Sequence, residues 1–480
     1  MNTRYEFFGD DPSFPSRLIT FTVLVGGFFG FLNETLLNVA LTTIMADFRI
    51  GKTQVEWLTI GFFLVMGALS AMSARVVQWF SPRHMLMMIL GTFLGGTLVC
   101  ALAPTFGILL LGRCLQAAAT AFMIPVIFNT MLLIYNPTRR GAVMGLVGMI
   151  FMAAPAIGPS LSGFITGLWG WRYLFFFTMP FTLLSLLLVW KYLRVNMQPI
   201  TRPKIDGLSV AYSAIGLGML VYVAATFAEA ANWWQPALLL GVAVLLIACF
   251  VRRQAAIANP LLDLRVFRHR QFALGVALFA FINAAFIGSE LVMPMYSQQV
   301  VLLSSATAGL ILLPGSLLNA ALAPLTGKAL DTYGPRVVVL PGTIIMTLAF
   351  ALMYCTFGLS TPAWLQALLF SMVAIAVAMV IMPAETNGLN ALEKDMYPHG
   401  SAIVSTLQPI AGAMGSALLV GIITLKEHAR LAGIAAPSAL QKREAMMSGV
   451  SLTYLLASLL GLLAIYLATR VKKTAGSAHH

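Results

Sequence analysis

Apolar positions in this chain come in long unbroken blocks, not in alternation or in one-sided helical stripes. Each block runs for roughly 20 residues, the length an α-helix needs to cross the ~30 Å hydrocarbon core of a bilayer. Fourteen such blocks predict fourteen transmembrane helices, with approximate limits 18–40, 54–77, 84–103, 107–134, 140–166, 171–193, 207–228, 236–252, 271–296, 304–327, 335–357, 362–389, 400–424 and 449–470. The short alternating segments of a β-barrel are absent. The expected fold is therefore an all-α polytopic membrane protein, since a backbone in lipid must satisfy its own hydrogen bonds.

Composition agrees: 59% of residues are hydrophobic and 9% charged, more apolar surface than a soluble core uses. The first 17 residues, MNTRYEFFGDDPSFPSR, are polar and acidic. No short apolar region with a cleavage site follows them, so they are read as a tail and the first block as a retained span. Cys100, Cys114, Cys249 and Cys355 all fall in apolar blocks without CxxC pairing, and the histidines form no HExxH cluster, so no metal site is expected. His479 and His480 are set aside as a tag remnant.

The net charge of +13 suggests nucleic acid until its positions are considered. Basic residues gather in alternate connections: Arg75 and Arg83; Arg139 and Arg140; Lys191, Arg194, Arg202 and Lys204; Arg252, Arg253, Arg265, Arg268 and Arg270; Lys328 and Arg336; then Lys472 and Lys473 in the tail. The opposite loops, such as 229–235 and 358–362, are almost free of them. Cytoplasmic loops carry such an excess, so both termini are expected in the cytoplasm and the spans even in number. The basic excess is topological, and no nucleic-acid partner is expected. One opposite loop, 425–448, is long and of mixed charge, and reads as an exposed hairpin or interfacial helices.

The two ends of the chain echo each other. MIPVIFNTMLLIYNPTRRGAVMG (123–145) parallels MPAETNGLNALEKDMYPHGSAIV (382–404), and RVVQWFSPRHM (75–85) parallels KALDTYGPRVV (328–338). Internal repeats of this kind build many secondary transporters, with the substrate site between the halves. The expected organisation is a tail (1–17), a six-helix bundle (18–195), two inserted helices (196–258), a second six-helix bundle carrying the hairpin near 425–448 (259–470), and a tail (471–480).

Residues 148–163, GMIFMAAPAIGPSLSG, crowd Gly148, Pro155, Gly158, Pro159 and Gly163 into one span. Proline bends a helix and glycine lets a neighbouring backbone approach closely, so the stretch predicts a bend and a tight helix–helix contact. Such a contact can seal one side of an alternating-access carrier. The stretch resembles the antiporter motif of the major facilitator superfamily, and the whole chain, over about 18–470, resembles that family's fourteen-helix drug:H⁺ antiporter branch. FLNETLLNVAL (31–41) resembles the branch's first-helix motif LDxTIVNVALP, and LLGRCLQAAATA (110–121) its fourth-helix motif, with Arg113 and Gln116 in place. GWRYLFFFTMPF (170–181) and PLLDLRVFRHRQF (260–272) resemble two further segments. The family's first-helix acid is Asn33 here, with the carboxylate one place on at Glu34, a rotation of ~100°. The lincomycin-resistance subgroup carries a similar NET sequence. The cytoplasmic motif GxLADRxGRR is reduced to ARVVQWFSPRH, keeping Arg83, while its second copy GKALDTYGPR keeps Asp331 and Arg336. Ala117 stands where the family usually has glycine.

Carboxylates inside spans are few: Glu34, Glu290 and Glu385. A charge at a helix centre in lipid costs roughly 3 kcal/mol or more. Burial disfavours the charged form, so such a group can load and release protons as access alternates, or attract a cationic drug. Each could instead be a packing acid hydrogen-bonded to its neighbours. Arg113 would pair with one of them, or snorkel to the interface. Asn33, Asn38, Gln116, Asn129, Asn283, Asn387 and Gln408 are polar groups in spans, candidates for a substrate cavity or for interhelical hydrogen bonds. The resemblance implies a monomeric, proton-coupled antiporter that exports amphipathic drugs, cationic or lincosamide-like, across the cell membrane. It would need no cofactor beyond the coupling proton. No GxxxxGK[ST] loop is present for ATP. A lipid or metabolite exporter of the same fold stays open. A membrane enzyme or a channel is disfavoured, since no paired catalytic residues lie at a membrane face and the halves are repeated and Pro/Gly-broken.

Overall fold

The computed structural model describes residues 15–76, 79–135, 137–193, 206–227, 230, 232, 234–257, 260–393, 396–434 and 436–473. Within its helices the side chains of Arg75, Asn129, Arg139, Arg140, Gly148, Pro155 and Asp331, with several others, lie outside the description. The chain is helical almost throughout. In order come α1 (Ser16–Thr35), a short α2 (Leu41–Phe48), α3 (Lys52–Val76), α4 (Pro82–Ala101), α5 (Phe106–Ile134), α6 (Pro137–Trp169), α7 (Arg172–Tyr192), α8 (Gly207–Thr226), α9 (Trp234–Ala256), α10 (Arg270–Gln299), α11 (Ser305–Tyr333), α12 (Pro335–Thr356), α13 (Ala363–Leu389), α14 (Tyr397–Leu431) and α15 (Ala439–Thr469). Among the described residues 13 helices are long and apolar enough to cross a membrane. The remaining long one is α6, 33 residues, where many side chains lie outside the description.

Local signals start several helices. Ser81 accepts from the His84 amide and Pro82 occupies the first turn of α4, where a missing N–H is harmless. In the second repeat Gly334 takes a positive φ of 85° before Pro335 opens α12. Ser438 and Gln441 form a capping box on α15.

Helices α1 and α3–α7 pack as one bundle and α10–α15 as another. They meet mainly through α6 against α11 and α3 against α14. The inserted α8 and α9 pack on each other, and α8 lies against both α3 and α14, across the junction. Their base is fastened by Asp206, which accepts from Arg253 Nε at 2.6 Å and Nη2 at 2.9 Å and from the Ser209 hydroxyl. These donors, Arg253 foremost, hold the Asp206 carboxyl well below the usual carboxylate range. Gln254 then donates to Ser209 and accepts from the Leu261 and Leu262 amides, tying the pair to the start of the second bundle.

Two segments differ from the expected limits. The first block does not run as one helix to residue 40: α1 stops at Thr35, residues 36–40 form turns, and α2 resumes. Bonds from Asn38 N to Thr35 O and from Ala40 N to Leu37 O tighten the chain there. The polar stretch 425–448 is mostly an extension of α14 and α15, joined by a connection at 432–438. The end of the molecule bearing this hairpin is called the hairpin end below.

Candidate functional site

The side chain of Arg113 on α5 is completely buried and lies about 10 Å along its helix from the hairpin end. Its Nη1 donates to Asn33 Oδ1 at 2.6 Å, to Asn33 O at 3.1 Å and to Gln116 Oε1 at 3.1 Å, while Nε donates to Leu58 O at 3.3 Å. The guanidinium sits 4.3 Å from the Phe62 ring centroid, a cation–π contact. Gln116 in turn donates to Thr97 Oγ1 at 2.9 Å. Four helices, α1, α3, α4 and α5, thus hold one cation in place. Asn33 Oδ1 and Gln116 Oε1 thus position Arg113, while Gln116 Nε2 is taken up by Thr97 and Asn33 Nδ2 has no protein hydrogen-bond partner.

Glu34 follows Asn33 on α1. It is half-buried while its neighbours from Phe31 to Leu41 are all buried. It lies close enough to Arg113 for their charges to interact. Glu290, on α10 of the opposite bundle, is close enough to interact with Glu34. Glu290 is 1% exposed, and its Oε2 has no protein hydrogen-bond partner. Glu34 thus interacts both with the fixed guanidinium of its own bundle and with a carboxylate of the opposite bundle. Glu385 is elsewhere. Its neighbour Ala384 packs on Gly275, about 22 Å along α10 from Glu290.

The glycine-rich face of α6 closes on this site. A Cβ at Gly158 would lie 2.2 Å from Thr35 Oγ1 and 3.2 Å from Leu32 O, so α6 presses on α1 on either side of Asn33 and Glu34. A Cβ at Gly163 would meet Ser305 O at 2.5 Å and Gly309 Cα at 3.1 Å. One at Gly309 would meet Pro159 O at 2.7 Å. Gly158, Pro159 and Gly163 thus form the tight contact expected of them, and Gly148 and Pro155 lie outside the described side chains. Further bonds join the bundles at the hairpin end. Gln298 accepts from Thr42 at 2.5 Å and donates to Val39 O at 3.1 Å, and Lys52 on α3 pairs with Glu427 on α14.

The sequence profile of the Major Facilitator Superfamily matches residues 23–416. The chain belongs to the major facilitator superfamily. It is accordingly a multi-pass membrane transporter and not an enzyme. Lincomycin resistance protein LmrB of Listeria monocytogenes is 37% identical over 409 residues, 85% of this chain and 86% of the relative. The protein of the same name from Bacillus subtilis is 36% identical over 465 residues, 95% of this chain and 96% of the relative. Two solved structures share the superfamily fold. A bacterial homologue of the human lysosomal transporter Spinster, inward-facing and occupied, matches with a TM-score of 0.67 at 15% identity, covering 96% of this chain and 98% of its own. The human organic anion transporter MFSD10 matches with a TM-score of 0.62 at 16% identity, covering 95% and 99%.

Other residues of the superfamily motifs are dispersed. Arg83, at the start of α4, donates from Nη2 to Trp190 O at 3.1 Å and so closes the C-terminus of α7. Arg336 is exposed on the first turn of α12, and Asp331 lies outside the described side chains. Asn283 donates to the Gln408 carbonyl at 2.7 Å, joining α10 to α14, while the Gln408 side chain is exposed. Asn387 donates to Lys472 O at 3.2 Å. Asn38 is buried with its Oδ1 lacking a protein donor. Asn129 lies outside the described side chains. Sequence reasoning missed Thr97, Phe62 and Gln298, and the pair Lys52–Glu427. The one signal available was charge: Lys52 and Glu427 are opposite charges at span ends on the same side of the membrane.

Proposed function

We propose that this chain is a proton-coupled antiporter that exports amphipathic drugs, cationic or lincosamide-like, by alternating access. It would do so as a monomer of fourteen spans with both termini in the cytoplasm, and with no cofactor beyond the coupling proton. The observation that carries the reading is Glu34, beside the fixed Arg113, and its interaction with Glu290 of the opposite bundle. A carboxylate enclosed in low dielectric needs a compensating positive charge or a proton. Arg113 compensates Glu34, and no cation among the described residues interacts with Glu290, so at most one of the two carboxylates is compensated by protein. The other is neutralised by a proton or by a cationic drug, and the two compete for one place. Rocking of the bundles would expose that place to one side and then the other, in line with the shift in inward–outward equilibrium that any ligand-driven carrier requires. The seal of α6 on α1 and α11 supports a closed extracytoplasmic side. The names of the relatives support the drug class.

The test is export from proteoliposomes under an imposed pH gradient, with lincomycin and a cationic dye as probes. Accumulation driven by the gradient and abolished by a protonophore is expected. Gradient-insensitive movement of both probes would overturn proton coupling. No movement of either would move a lipid or metabolite exporter ahead.

A further inference from the structure

A second site lies on the flank of the C-terminal bundle, away from α1 and α5. The end of α12, the extension of α14 and the first turns of α15 line an open surface slot of about 710 Å³. Lys426 and Arg430 line it from one face of α14, four residues apart. Among the described residues neither is in an ion pair, and the single carboxylate among the lining residues is Glu444. The slot is graded along α15. Along α15 the lining runs from Glu444 nearest the hairpin through Ser448 and Ser451 to Leu452 and Leu455, about 16 Å further along the helix.

Its level in the membrane can be read from aromatic side chains. Trp169, Tyr173, Trp234 and Trp364 are exposed where α6, α7, α9 and α13 reach the hairpin end. Tryptophan and tyrosine gather at the boundary between headgroups and hydrocarbon. Tyr354 and Phe357 close α12 at the same end, so the slot spans that boundary, cations outward and leucines inward.

We propose that this slot holds an anionic phospholipid of the adjoining leaflet, its phosphate between Lys426 and Arg430 and its upper acyl chain along Leu452 and Leu455. Two cations against one carboxylate favour an anion. The apolar floor favours a ligand with a chain over a free phosphate. The volume, in the ordinary range for ligand pockets, suits a headgroup and the upper part of one chain, with the rest of the lipid left in the bilayer. Glu427, between the two cations in sequence, pairs with Lys52 of the other bundle, so the lipid would sit on the helix turn that joins the bundles.

The test uses the full chain purified in detergent, exposed to equal amounts of phosphatidylglycerol and phosphatidylcholine, with retained lipid counted by native mass spectrometry. Wild type is expected to retain phosphatidylglycerol preferentially. The double variant Lys426→Gln/Arg430→Gln is expected to lose that preference by about tenfold. Lys442→Gln, a charge change on the same hairpin outside the slot lining, should behave as wild type. Leu455→Asn, which leaves both cations in place, should also weaken retention. Monodisperse elution of each variant checks its folding. Undiminished preference in the double variant overturns the proposal. So does displacement of the lipid by inorganic phosphate, which would make the slot an anion site without a lipid chain.

Discussion

Arg113→Gln is expected to reduce export to the level of protein-free vesicles and to lower the thermal midpoint in detergent. The guanidinium is wholly enclosed and serves four oxygen acceptors, two on Asn33, one on Gln116 and one on Leu58. Glutamine reaches fewer of them and carries no charge. Leaving buried polar groups unpaired costs about 1–3 kcal/mol each, and removing one partner from a buried charge set about 3–5 kcal/mol. Function suffers beyond stability, because Glu34 would then have no fixed cation beside it while still interacting with Glu290. Arg113→Lys separates the two effects. It keeps the charge but loses the planar fork, so it should retain measurable export, at least about tenfold below wild type. Wild-type export by Arg113→Gln would remove the arginine from the account.

The second large effect is predicted at the α6 contact, where two glycines differ in what opposes them. At Gly158 the closest atom to an added Cβ is a side-chain oxygen, Thr35 Oγ1 at 2.2 Å. At Gly163 it is a backbone oxygen, Ser305 O at 2.5 Å. Overpacking of this kind costs about 1–3 kcal/mol, and here it falls on the surfaces that close the hairpin end. Both Gly158→Ala and Gly163→Ala are expected to lower export by about tenfold or more. Adding Thr35→Ala should restore Gly158→Ala to near the rate of Thr35→Ala alone, since trimming the threonine frees the space. No side-chain trim can do this for Gly163→Ala, where the helices themselves must part by about 1 Å to reach ordinary contact. Normal export by both single variants would mean that the contact does not govern transport.

Much of this was legible in the sequence, for reasons that differ by residue. The spans were visible because apolar blocks of membrane length have few other uses. The contact at Gly158, Pro159 and Gly163 was visible because so many small and helix-bending residues in one span serve little but close packing. The break at residues 36–40 was not, since LLNVA carries neither proline nor glycine. What surrounds that turn is tertiary: Gly158 against Thr35, and Gln298 against Val39. The helical extension into the 425–448 hairpin was half legible. Its polarity reads as a loop, while the SALQ capping box that starts α15 at Ser438 is a local signal the polarity obscured. At the site, Glu34, Glu290 and Arg113 stood out as charges in lipid. That Glu34 and Glu290 come close enough to interact, and that Glu385 lies about 22 Å away along the bundle, depends on helix packing between residues hundreds of positions apart.

The most direct test of the central claim is proton release on drug binding. Purified protein in weakly buffered detergent near neutral pH would receive a cationic drug, with wild type compared against Glu34→Gln, Glu290→Gln and the double variant. The account predicts that the drug displaces protons from wild type, fewer from at least one single variant, and none from the double variant. Drug binding to wild type without proton release, or equal release from the double variant, would contradict the claim that Glu34 and Glu290 are where proton and drug compete.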